Sequence, residues 1–143
     1  IEAVRHWAGG IMTWNMALDQ DAGPKNGGCQ DCRGVVTIDT VTSRITYNVE
    51  YFVLGHASKF VLPGAVRIAS TSDPRGYVQS VAFRNPDASL VLIVLNPAGE
   101  PRPFRVSCSD GAFSYRLPAG AVATFRWDRL GLTSRRRPPA WPG

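Results

Sequence analysis

Leu90-Val91-Leu92-Ile93-Val94-Leu95 runs apolar for six residues and stops at Asn96-Pro97-Ala98-Gly99. A half-exposed strand alternates apolar and polar side chains, so an unbroken run of this length between turn residues reads as a strand covered on both faces, the middle of a sheet. Working outward, turn signals recur at Asp73-Pro74-Arg75-Gly76, Asn85-Pro86-Asp87, Asn96-Pro97-Ala98-Gly99, Ser109-Asp110-Gly111 and Pro118-Ala119-Gly120. Between them lie further strand candidates at Ala65 to Ser70, Tyr77 to Arg84, Pro103 to Cys108, Phe113 to Leu117 and Val122 to Trp127. In the last of these, Ala123, Phe125 and Trp127 alternate with Val122, Thr124 and Arg126, giving one apolar and one more polar face. This spacing predicts an all-β sandwich over residues 63–128. Six short strands make it thin, so it is expected to borrow a strand or to pack closely on what precedes it.

The first 62 residues read differently. Glu2 to Ala8 suit one or two helical turns ended by Gly9-Gly10, and Ile11-Met12-Thr13-Trp14-Asn15 suits a strand buried in a parallel sheet. Helix, glycine link and buried strand are half of a βα repeat. The Gly-, Asp-, Asn- and Pro-rich segment Asp19 to Gly34 is an irregular excursion from that strand, and in α/β barrels such loops build the active-site face. Gly34 to Asp39 and Ser43 to Tyr47 predict a hairpin. Val49, Phe52, Val53, His56, Ala57, Phe60 and Val61 share one helical face, with Asn48 as N-cap and Pro63-Gly64 as the stop. The expected architecture is therefore the last strand and helix of an α/β (TIM) barrel in residues 1–62, the sandwich in 63–128, and a basic Pro-rich tail in 129–143 expected to be disordered.

Composition bounds the function class. The chain has 143 residues, 44% hydrophobic and 19% charged, as in a folded globular protein. No apolar run approaches the length that spans a bilayer, so no stable membrane insertion is expected. The net charge of +5 could mean an anionic partner. Three of the sixteen basic residues, however, are Arg135-Arg136-Arg137 in the tail and the others are scattered, so no nucleic-acid partner is expected. The opening Ile1-Glu2-Ala3-Val4 is neither an initiator Met nor a signal sequence, and the natural start is expected to lie upstream.

Trp14 is the most informative residue. A rigid indole at a barrel-strand end offers a flat apolar surface to the C–H face of a sugar, although position alone equally allows a core plug. Asn15 beside it could bond sugar hydroxyls or simply form a turn. Glycoside hydrolysis needs two carboxyl groups, about 5–5.5 Å apart for retention. The eleven acidic residues offer no convincing pair: Asp19 and Asp21 suit turns, Glu2 suits a helix start, and no catalytic residue is assigned in this chain. For Cys29-Gln30-Asp31-Cys32 a short structural disulfide is the preferred reading and two unpaired buried thiols the alternative. Zinc would require further ligands that His6, His56 and Cys108 do not supply at a matching spacing, so neither metal nor cofactor is expected. Cys108 reads as a buried small apolar residue, and each His as a packing or surface residue.

Taken together, these blocks resemble glycoside hydrolase family 30, which includes glucosylceramidases. The resemblance rests on Met12-Thr13-Trp14-Asn15-Met16-Ala17-Leu18-Asp19 with Gly23-Pro24, and on Glu50-Tyr51-Phe52-Val53-Leu54-Gly55-His56-Ala57-Ser58-Lys59-Phe60. It continues through Pro63-Gly64-Ala65-Val66-Arg67-Ile68, Val81-Ala82-Phe83-Arg84-Asn85-Pro86-Asp87-Ala88-Ser89 and Val94-Leu95-Asn96-Pro97, and stops near Trp127. It implies a C-terminal piece of a retaining β-glycosidase working by double displacement, with both catalytic glutamates upstream of Ile1. Trp14 and Asn15 then become substrate-binding residues for a carbohydrate or glycolipid. The chain would pack against the preceding part of its own polypeptide, which supplies further sandwich strands. The family and the Cys29–Cys32 pair together imply a secreted or extracellular bacterial protein. Met16 and Ala57 depart from the pattern only as packing changes. A carbohydrate-binding sandwich without catalysis, using Tyr77, Tyr115 or Trp127, is the alternative. An isolated piece is expected to expose apolar surface and to aggregate.

Overall fold

A computed structural model describes residues 1–71, 75–109 and 111–128. The Asp73-Pro74 turn, Asp110 and the tail 129–143 lie outside the described residues. The elements in order are helix α1 (Glu2–Arg5), strands β1 (Ala17–Leu18), β2 (Val36–Ile38) and β3 (Ile45–Tyr47), helix α2 (Val49–Ser58), then strands β4 (Val66–Ile68), β5 (Gln79–Arg84), β6 (Leu90–Leu95), β7 (Arg102–Cys108), β8 (Gly111–Leu117) and β9 (Val122–Trp127).

The apolar run Leu90–Leu95 is β6, and it lies inside a four-stranded antiparallel sheet ordered β4-β5-β6-β9. Because side chains alternate along a strand, β6 feeds two cores. Leu92 and Val94 join Ala82 and Leu117 on one face, backed by Phe104, Val106, Ala123, Phe125 and Trp127. Val91 and Ile93 join Val81 on the other, backed by Ile1, Val4, Phe60, Val61 and Val122. The first face is covered by the antiparallel pair β7-β8, which makes the sandwich. The second is covered by α1 and by the segment that follows α2. The alternation read in Val122 to Trp127 is thus real: Ala123, Phe125 and Trp127 face β7-β8, while Thr124 turns to α2, its Oγ1 lying 2.9 Å from His56 Nδ1.

Two buried asparagines fix the turns. Asn96, wholly buried, donates through Nδ2 to the carbonyls of Glu100, Leu117 and Pro118 and accepts from the Ala98 N–H. Asn85 donates to Phe60 O and Ser89 Oγ and accepts from Leu62 N–H, so the β5-β6 turn holds the chain where it leaves α2. Ser89 in turn donates to Asp87 Oδ1, and Arg126 of β9 binds both Ser89 and Asp87.

Residues 1–62 depart from expectation in three places. Ile11–Asn15 is not a strand: the strand is β1, further along, and it pairs in parallel with β2 alone over Ala17↔Val36 and Leu18↔Thr37. A backbone ladder needs neighbours on its edges, and here Asn15 O accepts from Val35 N–H (3.0 Å), just before β2, while Met16 O, the next residue, accepts from Val36 N–H (2.9 Å). What residues 1–62 form is a three-stranded sheet β1-β2-β3 with two helices, and no closed or open barrel is seen among them. Second, α1 stops at Arg5 with Trp7 at φ 69° in the left-handed position, closed by Ala8 N–H to Ala3 O and Trp7 N–H to Val4 O. This is the Schellman pattern with Trp where glycine is usual, so Gly9-Gly10 is not the stop. Third, α2 begins after Asn48 and ends at Ser58, and none of its residues is buried.

Contacts at the end of α1 dock the first part on the sandwich. Arg5 Nη1 donates to Ser80 O (2.8 Å) and Ser70 Oγ (3.2 Å), and the Arg67 guanidinium sits 3.9 Å from the Trp7 ring centroid. Trp7, Ile11, Met12, Trp14, Met16, Val49, Phe52 and Val53 remain exposed.

Candidate functional site

Trp14 precedes β1 and does not end a strand as expected, since the strand itself begins three residues later. Its side chain is 87% exposed, so it plugs no core among the described residues. Asn15 is half-buried, and its carbonyl is held by Val35. The pair therefore stands on a segment fixed only by its contact with the start of β2, and the order of the loop between them decides where it sits.

That loop, residues 19–35, is pinned at several points. Asp19 Oδ1 accepts from the N–H groups of Asp21 (2.9 Å) and Gly23 (2.7 Å), an Asx turn. Gly23–Pro24 is cis. Gln20 Oε1 accepts from Thr40 N–H in the β2-β3 turn. Cys29 and Cys32 are joined by a disulfide, with Cα atoms 5.5 Å apart. Arg33 Nη2 donates to Glu50 Oε1 at 2.7 Å, tying the loop's end to the first turn of α2. Asn48 is the N-cap residue of α2, as expected, but its side chain makes no capping bond; its Nδ2 donates instead to Gly34 O and Thr37 Oγ1, both 2.9 Å away. Sequence reasoning missed Arg33, Glu50 and Asn48 as anchors. Nothing in the sequence pairs Glu50 with a loop arginine seventeen residues earlier.

Four of the described carboxylates have structural partners. Asp19 closes its turn, Glu50 holds Arg33, Glu100 pairs with Arg102 at 2.6 Å, and Asp87 pairs with Arg126 at 2.9 Å. His6 lies 3.7 Å from Glu2 and is exposed, and His56 is satisfied by Thr124. Among the described residues no group of three His, Cys, Asp or Glu side chains could hold a metal ion, and no helix is long and apolar enough to cross a membrane. Cys108 is a free thiol and is exposed, not buried, because β7 ends there at the open margin of the two-stranded pair.

Hydrogen bonds hold three carboxyls below their usual range: Asp39 through the N–H and hydroxyl of Thr42 and the N–H of Val41, Glu50 through Arg33, and Asp87 through the hydroxyl and N–H of Ser89. A carboxyl depressed in the folded state stabilises it above its unfolded pKa and loses that contribution as pH falls through the folded value. The melting temperature should accordingly hold steady above pH ~5 and fall once pH drops below ~4, where unfolded carboxyls begin to protonate. A melting temperature that rises on acidification across this window would contradict the assignment.

Of the aromatics considered for a sugar-binding sandwich, Tyr77 and Tyr115 are exposed and Trp127 is half-buried. Tyr115 and Phe113 contact Phe125, and Phe113 packs edge-on to Trp127. The guanidinium groups of Arg75 and Arg102 lie 4.8 and 4.2 Å from the Tyr77 ring centroid.

Residues 64–125 match the glycosyl hydrolase family 30 beta sandwich domain. Endo-1,6-beta-D-glucanase neg1 of Aspergillus fumigatus is 31% identical over 129 residues, 85% of this chain and 26% of that protein. Lysosomal acid glucosylceramidase of Mus musculus is 30% identical over 121 residues, 84% of this chain and 23% of that protein. Among solved structures, the endo-beta1,6-glucanase BT3312 superposes with a TM-score of 0.81 at 34% identity, covering 89% of this chain and 29% of that one. The chain spans about a quarter of the length of the curated relatives it matches. With the sandwich and its sequence both in agreement, the chain belongs to glycosyl hydrolase family 30.

Proposed function

We propose that this chain is part of a retaining β-glycosidase that cleaves β-linked glucosyl units by double displacement. One observation carries the reading: the likeness to an endo-β-1,6-glucanase reaches 89% of the chain, well beyond the sandwich at 64–125 and into the region that holds Trp14 and the disulfide loop. In this mechanism one glutamate attacks the anomeric carbon while another protonates the departing oxygen; the second then activates water to release the sugar. Both glutamates are assigned to the polypeptide upstream of Ile1, as are the barrel strands against which residues 1–62 pack. Trp14 supplies a flat apolar wall for a sugar ring, and Asn15 a donor and acceptor for its hydroxyls. The glucanase relatives favour a β-1,6-linked glucan over a glucosylceramide. An exposed disulfide suits an oxidising compartment, so we place the enzyme outside the cytoplasm of a bacterium. The alternative of a sandwich that binds carbohydrate by itself would rest on Tyr77 and Tyr115, which remain exposed, since Trp127 packs edge-on to Phe113 under β7-β8.

The test is hydrolysis by the full-length protein of β-1,6-glucan, glucosylceramide and xylan, followed as reducing-sugar or ceramide release. Turnover of β-1,6-glucan is expected, and failure on every β-glucoside would sink the reading. In the same protein Trp14→Ala should raise KM about tenfold, the loss of one ring-stacking contact. An unchanged KM would remove Trp14 from the site while leaving the family assignment intact.

A further inference from the structure

We propose that the Cys29–Cys32 disulfide is a redox-sensitive latch that holds the Asn15 segment in place through Arg33, Gly34 and β2. Three observations converge. The bridge is reachable: Gly27, Gly28, Cys29, Gln30 and Asp31 are all exposed, with Cys32 half-buried. It sits one residue before Arg33, whose guanidinium reaches the Glu50 carboxylate at 2.7 Å. And the chain immediately after Arg33 is pressed against β1, since Gly34 is buried so closely that a Cβ there would lie 2.7 Å from Val36 O and 2.9 Å from Leu18 N. Next to it, Val35 and Val36 donate the hydrogen bonds that hold Asn15 and Met16. The closed ring limits the directions in which Arg33 can leave Glu50. Opening it gives the loop more conformations and weakens each contact downstream.

The chemistry is thiol–disulfide exchange with a dithiol. A thiolate of the dithiol attacks one sulfur, the Cys29–Cys32 bond breaks, and the second thiol of the reductant displaces the first cysteine from the mixed disulfide. Two electrons and two protons pass to the cysteines, and the reductant closes to its own disulfide. The latch concerns β1, β2 and the first turn of α2, and it stands whether or not the enzymatic reading does.

Hydrogen exchange tests it on the full-length protein, oxidised, reduced with dithiothreitol, and as the Cys29→Ser/Cys32→Ser double variant. Amides of Val35 and Val36 should exchange about tenfold faster in the reduced protein and in the double variant, while those of β5 and β6 stay unchanged. Arg33→Ala in the oxidised protein should reproduce the acceleration. Unchanged exchange at Val35 and Val36 after reduction would overturn the proposal. So would equal loss of protection across β5 and β6, which would make the bridge a general stabiliser. Acceleration by reduction but none in Arg33→Ala would overturn the route through Arg33.

Discussion

Leu117→Ala should lower the unfolding free energy by about 3 kcal/mol, with a fall in melting temperature near 10 °C for a chain of this size. Leu117 ends β8 with 1% of its surface exposed, packed with Ala82, Leu92 and Val94 between the two layers of the sandwich. Those layers are unequal: two strands cover four, so few side chains of β7-β8 reach the core and each carries a large share. The backbone on both sides of the position is also fixed, because the Leu117 and Pro118 carbonyls accept from Asn96 and prevent the site from collapsing onto a smaller side chain. A residual cavity therefore adds to the lost transfer energy. Leu117→Met, which nearly preserves volume, should cost under ~1.5 kcal/mol. Chemical denaturation of the two variants checks both figures, and equal, small losses would show that the β7-β8 layer contributes little to the core.

Asn85→Ala should cost a comparable amount, about 3 kcal/mol, by a different route. The side chain removes almost no apolar surface from water. What it does is satisfy Phe60 O, Leu62 N–H and the Ser89 hydroxyl at once from a position 3% exposed. Truncation leaves Phe60 O and Leu62 N–H without that partner, at roughly 1–3 kcal/mol for each that water cannot reach, while the Ser89 hydroxyl keeps Asp87 and Arg126. Asn85→Asp keeps the acceptor for Leu62 but loses both donors, so it should rescue little. If Asn85→Ala unfolds at the same denaturant concentration as the parent, water replaces the asparagine and the hinge between α2 and the sandwich is not held there.

How much of this was legible in the sequence depends on the range of the interaction involved. The sandwich strands are local features: the apolar run Leu90–Leu95 and the alternation Val122–Trp127 give β6 and β9 with the observed bounds, because strand period and turn residues are properties of a few neighbours. The strand expected at Ile11–Asn15 failed because an apolar pentapeptide says nothing about whether a partner edge is present, and β1 forms instead where β2 can reach it. Trp7 at φ 69° escaped notice because an aromatic residue is a rare left-handed cap, and the adjacent Gly9-Gly10 was the obvious choice.

Asn85 and Asn96 were recognised as turn residues from Asn-Pro dipeptides, but their work as staples between distant segments depends on contacts across 25 and 22 residues, which no local pattern encodes. The same holds at the candidate site. Trp14 and Asn15 could be singled out by type and neighbourhood, whereas the anchors Arg33, Glu50 and Asn48 are defined by where the loop returns.

The most direct test of the central claim, that this chain belongs to a retaining glycosidase, is the anomeric configuration of the first product. Proton NMR of β-1,6-glucan hydrolysis by the full-length protein should show the β-anomer of the new reducing end appearing first and the α-anomer only later, by mutarotation. Initial release of the α-anomer would mean inversion and would contradict the double-displacement account.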